Sequence, residues 1–124
     1  IAKDAEAQGA FGVVVNAPFS TETIRAINEV IDIPIISTVV KEETDFEAAI
    51  DAGVSIFNIS AAENTAELVK KVRSLYPTFP IIATGGPTAE TILKTIRAGA
   101  NVISYTPPTT AEFFKEIMTK YRNE

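Results

Sequence analysis

Apolar residues fall in two alternating kinds of segment. Five short β-branched runs stand out: Phe11–Val15, Pro34–Val39, Val54–Ile59, Pro80–Thr84 and Asn101–Tyr105. Each has the length of a strand and is apolar almost throughout, as strands buried on both faces of a parallel sheet are. Between them the period changes to that of a helix. Ile24, Ile27 and Ile31 fall at i, i+3 and i+7; Leu68, Val72 and Leu75 at i, i+4 and i+7; Ile92 and Ile96 at i and i+4. Such stripes would cover the sheet.

Start and stop signals fit the same division. Thr44 with Glu47, Asn64 with Glu67, and Thr109 with Glu112 have the spacing of an N-cap and its third helical residue. Gly9, Gly53 and Gly99 each follow a helical segment and precede a strand, where a left-handed residue costs least as glycine. The pattern predicts one α/β domain over residues 1–124, a helix followed by five βα units with parallel strands.

The chain also repeats itself. Shifted by 46 positions, Ile33–Ser60 aligns without a gap on Phe79–Thr106, and Pro34, Ile35, Ile36, Thr38, Ile50, Ala52 and Gly53 meet identical residues. A partial copy lies about 44 residues upstream, where Gly9 meets Gly53. Each copy is a βαβα unit. Four of them would close an eight-stranded barrel of about 180 residues, near the lower limit for a (β/α)₈ enzyme. In this register Ile1 falls on Asp45, inside a repeat. The expectation is therefore that the chain holds the C-terminal five βα units of a TIM barrel and lacks the first three. The alternative at this size is a flavodoxin-like doubly wound sheet. Strand order separates the two, since a doubly wound sheet has a switch point and a barrel segment has none.

Composition narrows the chemistry. The chain has neither cysteine nor histidine. That removes disulfides, thiolate and imidazole metal sites, and Ser-His or Cys-His nucleophile pairs. The net charge of −5 is spread along the chain, which argues against nucleic acid as a partner. No apolar run reaches the ~18 residues of a membrane span, and nothing reads as a signal peptide. These features are compatible with a cytoplasmic protein, and no metal or cofactor is expected.

In either fold the ligand site lies beyond the C-terminal ends of the strands. The sharpest motif there is Thr84-Gly85-Gly86-Pro87-Thr88, two glycines between a buried strand and a helix start. Backbone N–H groups at such a turn form an anion site. The motif resembles the Gly-Gly phosphate loop of ribulose-phosphate-binding barrels and of the keto-deoxy-phosphogluconate aldolase group. There the loop after the next strand completes the phosphate site, usually with Gly followed by Ser or Thr. Here that loop reads Tyr105-Thr106-Pro107-Pro108-Thr109, in which two prolines remove N–H donors. The pair of loops is also similar to uncharacterised bacterial barrel proteins labelled hydrolases. The segment from Pro80 onward superficially resembles the end of a receiver domain, but Asn58-Ile59-Ser60 stands where a phosphoacceptor Asp is required.

The resemblance implies substrate or phosphate binding by Thr84, Gly85, Gly86, Thr88, Thr106 and Thr109. Period two places Asn16, Asn58, Ser60, Ser104 and Thr106 on one side of their strands, and Val13, Val15, Phe57, Ile59, Ile103 and Tyr105 on the side facing the helices. Asn16 and Ser60 are therefore added to the binding set, and Asn58 to the catalytic one. Lys41 closes the second strand. A desolvated lysine there forms a Schiff base with a carbonyl substrate, although Glu42 and Glu43 beside it favour the charged amine. Glu42, Glu43, Asp45 and Glu63 lie on two of the same loops without motif spacing, and Lys70, Lys71 and Arg73 read as solvated helix charges. The sequence thus points to part of a metabolic enzyme that binds a small anionic, phosphorylated substrate, with aldolase/lyase or isomerase chemistry implied by the resemblance. The alternatives are a non-catalytic binding or regulatory module and an inactive fragment. Exposed strand edges would make the barrel segment a homodimer.

Overall fold

The computed structural model of the chain describes residues 1–16, 20–86, 88–105 and 110–123. Five strands form one parallel sheet: β1 (Val13–Val15), β2 (Ile35–Val39), β3 (Val54–Ile59), β4 (Ile81–Thr84) and β5 (Val102–Ser104). Helices alternate with them: α1 (Ala2–Ala7), α2 (Thr21–Val30), α3 (Phe46–Ala52), α4 (Thr65–Leu75), α5 (Ala89–Ala98) and α6 (Thr110–Asn123). A single 3₁₀ turn, Ala62–Asn64, leads into α4.

The strands stand in the order β1-β2-β3-β4-β5, each paired in parallel with its successor. There is no switch point, so the doubly wound alternative is excluded. Right-handed crossovers between strands that advance in one direction place every connecting helix on the same face. The core shows this. Val15, Ile35, Val39, Phe57, Ile59, Ile81 and Ala83 from the strands join Ile24, Phe46, Ala49, Leu68, Val69 and Val72 from α2, α3 and α4 in one buried cluster. Phe57 is fully enclosed, with its ring 5.1 Å from Phe46 and 4.8 Å from Phe79. On the opposite face, among the described residues, Val14 and Val102 are 53% and 55% exposed, so that face is open.

The sequence repeat is a repeat of register. Ile36↔Ile56, Ser37↔Phe57 and Thr38↔Asn58 recur 46 residues on as Ile82↔Val102, Ala83↔Ile103 and Thr84↔Ser104. The two C-caps also coincide. Gly53 (φ 122°, ψ 9°) donates to the carbonyls of Ala49 and Ile50, and Gly99 (φ 120°, ψ 13°) to those of Thr95 and Ile96. Offset by 44 residues in the first strand and 46 in the second, Val14↔Ile36 in the β1–β2 pair matches Asn58↔Ile82 in the β3–β4 pair.

Several local expectations change. Asp45, not Thr44, caps α3, its Oδ1 accepting from the Ala48 N–H at 3.0 Å, while the Thr44 hydroxyl donates to the Lys41 carbonyl. Asn64 makes no side-chain cap; buried Thr65 holds the turn instead, accepting from the Ala61 N–H and donating to the Ala62 carbonyl. Thr109 lies outside the described residues. In α4, Val69 joins Leu68 and Val72 in the core, and Leu75, the last residue of the helix, is exposed. Ile96 on α5 is exposed. Strand β3 carries one extra residue, Ser55, between its pairings with Ile35 and Ile36. The bulge lets Val54 and Phe57, three positions apart, face the same core.

Arg73 is not a solvated charge. Its guanidinium donates to the carbonyls of Tyr76, Pro77, Phe79 and Gly99 and to Asn101 Oδ1 at 2.6–3.2 Å. Asn101 Oδ1 also accepts from the Ile81 N–H. One side chain of α4 thereby fixes the end of α5 and the beginnings of β4 and β5, the two strands below the glycine turn.

Candidate functional site

On the open face the parallel register places polar residues side by side at the strand tops. Thr38 pairs with Asn58, and Asn16 stands one step beyond the Val15↔Ser37 pair, next to Thr38. Asn16, Thr38 and Asn58 thus form a row across β1, β2 and β3. One level higher, Thr84 pairs with Ser104, and Ser60 lies one step beyond Ile59↔Ala83, next to Thr84. Ser60, Thr84 and Ser104 form a second row across β3, β4 and β5. Thr84 and Ser104 are exposed and Ser60 is half-buried.

The lower row has one unusual member. Asn58 Nδ2 donates to Thr38 Oγ1 across a long 3.4 Å, while Asn58 Oδ1 is buried with no hydrogen-bond partner among the described residues. A buried amide oxygen left unpaired costs roughly 1–3 kcal/mol.

Beside the upper row lies the glycine turn. The Gly85 N–H donates to the Ser104 carbonyl at 3.0 Å, continuing the β4–β5 ladder by one residue. A Cβ on Gly85 would stand 2.6 Å from Ile103 Cγ2 and 2.8 Å from Ile92 Cγ1. Gly86 has φ +79°, and its Cβ would meet Thr91 Oγ1 at 2.7 Å. Packing of α5 on β5 therefore requires Gly85, and the left-handed turn against Thr91 requires Gly86, whether or not a ligand binds. Thr88 caps α5 and forms a reciprocal box with Thr91, each side chain accepting from the other's N–H. The first-turn N–H groups outside that box belong to Ala89 and Glu90, and the Glu90 carboxylate shares the turn. Thr106 and Thr109 lie outside the described residues.

Lys41 stands at the same end of the sheet but on another strand, two positions past β2 and exposed. It borders two clefts. One, of about 480 Å³, lies between the β2–α3 and β3–α4 loops with Glu42, Glu43, Asn64, Glu67 and Lys71 on its walls. The other, of about 270 Å³, includes Asn16, Thr21, Ser37, Thr38 and Thr44. The described residues do not supply the desolvation that a Schiff-base lysine requires. Two of the four loop acids have structural partners. Glu42 is paired with Lys71 at 3.3 Å, with both side chains largely in solvent, and Asp45 caps α3. Among the described residues no three carboxylates converge as a metal set, and no helix is long and apolar enough to cross a membrane.

The structure thus brings Ser60, Thr84, Gly85, Gly86 and Thr88 to one end of the sheet and Asn16 and Asn58 to the adjoining row, with Lys41 on the rim. The role of Thr38 went unnoticed in the sequence. The available signal was that Thr38 is an identity of the repeat with the same strand parity as Asn58.

No family model matches the sequence, and no curated protein matches it. Among solved structures the chain is similar to the crystal structure of inosine 5′-monophosphate dehydrogenase from Legionella pneumophila, with 20% identity and a TM-score of 0.67 over 84% of this chain and 34% of that one. The chain spans about a third of the length of that enzyme. The likeness does not single out the ribulose-phosphate or keto-deoxy-phosphogluconate aldolase type. It shows the fold: five parallel strands in sequential order alternating with helices, as in part of a (β/α)₈ barrel.

Proposed function

We propose that this chain is the phosphate-binding part of a (β/α)₈-barrel enzyme that acts on a small phosphorylated metabolite by lyase or isomerase chemistry. The observation that carries the reading is the row Ser60, Thr84 and Ser104 beside the Gly85-Gly86 turn and the start of α5. Adjacent strands lie about 4.8 Å apart, so three hydroxyls span about 10 Å. That is the reach of a short hydroxylated carbon chain with an anion at one end. The N–H groups of Gly86, Ala89 and Glu90 are the donors for that anion, aided by the positive end of the helix dipole. The Glu90 carboxylate weakens the attraction, so a bare anion binds less well than one that also engages the hydroxyl row.

In this reading Thr84 and Thr88 flank the phosphate, and Thr106 and Thr109 complete its site from the loop after β5. Asn16 and Ser60 bind the hydroxylated portion. Asn58 orients a substrate oxygen through its amide, and Lys41 is the strand-top amine that reaches a carbonyl. The name of the structural neighbour, inosine 5′-monophosphate dehydrogenase, is that of an enzyme acting on a phosphorylated compound, which supports the ligand class and not the reaction. Three further βα units complete the barrel and supply the rest of the catalytic groups, so these five strands alone bind without turnover.

Calorimetric titration with glycerol 3-phosphate, with glycerol as the control, tests the reading. The phosphorylated compound binds and glycerol does not, and Ser104→Ala weakens binding severalfold. Equal heats from both compounds, or an unchanged affinity in the variant, would refute it.

A further inference from the structure

The two kinds of strand in the repeat are not equivalent. β2 and β4 share the pattern apolar-Pro-Ile-Ile-x-Thr, in Ile33–Thr38 and Phe79–Thr84. They can be called leading strands. β3 and β5 occupy the second place in each unit, and β1 falls in the same place by the 44-residue offset. The sheet therefore reads trailing, leading, trailing, leading, trailing. Its two edges, β1 and β5, are both trailing strands.

Each trailing strand that is paired on both sides shows what it requires. β3 meets β2 through Thr38↔Asn58 and β4 through Asn58↔Ile82, with a leading strand on either side. The outer edge of β5 continues the β3–β4 interface. In that register Ser104 faces the second isoleucine of a Pro-Ile-Ile strand. The outer edge of β1 continues the β2–β3 interface, and Val14 there faces the threonine of such a strand.

We infer that the open edges and the open face are an interaction surface for a polypeptide of three βα units whose first and last strands are leading strands. Eight strands then alternate around a closed barrel, with Val14 and Val102 covered. A second copy of the chain does not meet this requirement through its edges, because both are trailing strands, and the leading strands β2 and β4 are already paired on both sides. The inference rests on the fold and the repeat, not on the ligand assigned above, so the two can fail separately.

Residues 32–99 of this chain are themselves a leading-trailing-leading segment, and residues 10–76 a trailing-leading-trailing segment of nearly the same length. The full chain is extended at its C-terminus, through a glycine-serine linker, by a second copy of one or the other. Amide exchange is then followed at Val13–Val15 and Val102–Ser104. The extension with residues 32–99 gives a monomer in which both edges exchange at least about tenfold more slowly than in the unextended chain. The extension with 10–76 gives no such gain. Ile36→Pro in the added copy removes a ladder donor beside β5, and protection is lost at β5 while β1 keeps it. Equal protection from both extensions, or an extension with 32–99 that stays unprotected or fails to fold, would overturn the inference.

Discussion

Replacing Arg73 with methionine keeps the aliphatic stem and removes the guanidinium, which donates six hydrogen bonds to five acceptor groups. A hydrogen bond from a charged group contributes about 1.5–3 kcal/mol. The six do not sum, because one planar group makes them all and water reaches the freed Pro77 carbonyl at the surface. The Tyr76, Phe79 and Gly99 carbonyls are the acceptors most costly to orphan, since exposed Asn101 keeps the Ile81 N–H on its Oδ1, and a net loss of about 2–3 kcal/mol follows. For a chain of this size that is roughly a 10 °C fall in Tm. Urea unfolding followed by circular dichroism measures it. Arg73→Lys keeps the charge near the end of α4, but one ammonium cannot reach acceptors in so many directions, so most of the loss remains. Asn101→Ala loses the shared acceptor, and its effect couples to that of Arg73 by about 1 kcal/mol in a double-mutant cycle. Stability of the methionine variant within about 0.5 kcal/mol of the native chain would refute the reasoning. So would a lysine variant as stable as the native chain.

Other residues carry equally direct expectations. Gly85→Ala drives a methyl into Ile103 and Ile92 and lowers stability by about 1–3 kcal/mol, read as a shift in urea midpoint. Phe57→Ala opens a void between Phe46 and Phe79 and costs about 3–5 kcal/mol in the same assay. Glu42→Gln breaks only a solvent-exposed ion pair and changes stability by less than about 0.5 kcal/mol. Asn58→Leu removes the buried unpaired amide oxygen. It raises stability by about 1 kcal/mol while weakening glycerol 3-phosphate binding, so thermal denaturation and calorimetry move in opposite directions.

Much of the fold was legible because burial is local in sequence. All five strands occur within the apolar runs that predicted them, β3 in full and the other four trimmed at the ends. Pro34 and Pro80 have no N–H for the ladder, and Phe11 lies in solvent ahead of the edge strand β1. The 46-residue repeat carried register as well as pattern, since Thr38 and Thr84 meet equivalent partners. The repeat pointed to a barrel segment, and the sequential strand order bears this out, although alternating βα units alone are common to barrels and doubly wound sheets. Arg73 was misread because its acceptors at Gly99 and Asn101 lie more than 25 positions away and come near only when α5 packs beside α4. At the site, parity placed Asn58 and Ser60 on one face, but the rows they join with Thr38, Thr84 and Ser104 depend on cross-strand register. The glycine turn was visible as a motif, whereas its packing against Ile92, Ile103 and Thr91 needed the fold.

The central claim is that an anion binds at the turn between β4 and α5, next to the hydroxyl row. Amide-resolved titration of the chain with inorganic phosphate tests it most directly. The account predicts saturable shifts centred on the N–H groups of Gly86, Ala89 and Glu90, with smaller ones at Thr84 and Ser104. Shifts centred on the Lys41–Lys71 cleft, or shifts that do not saturate anywhere, would contradict it.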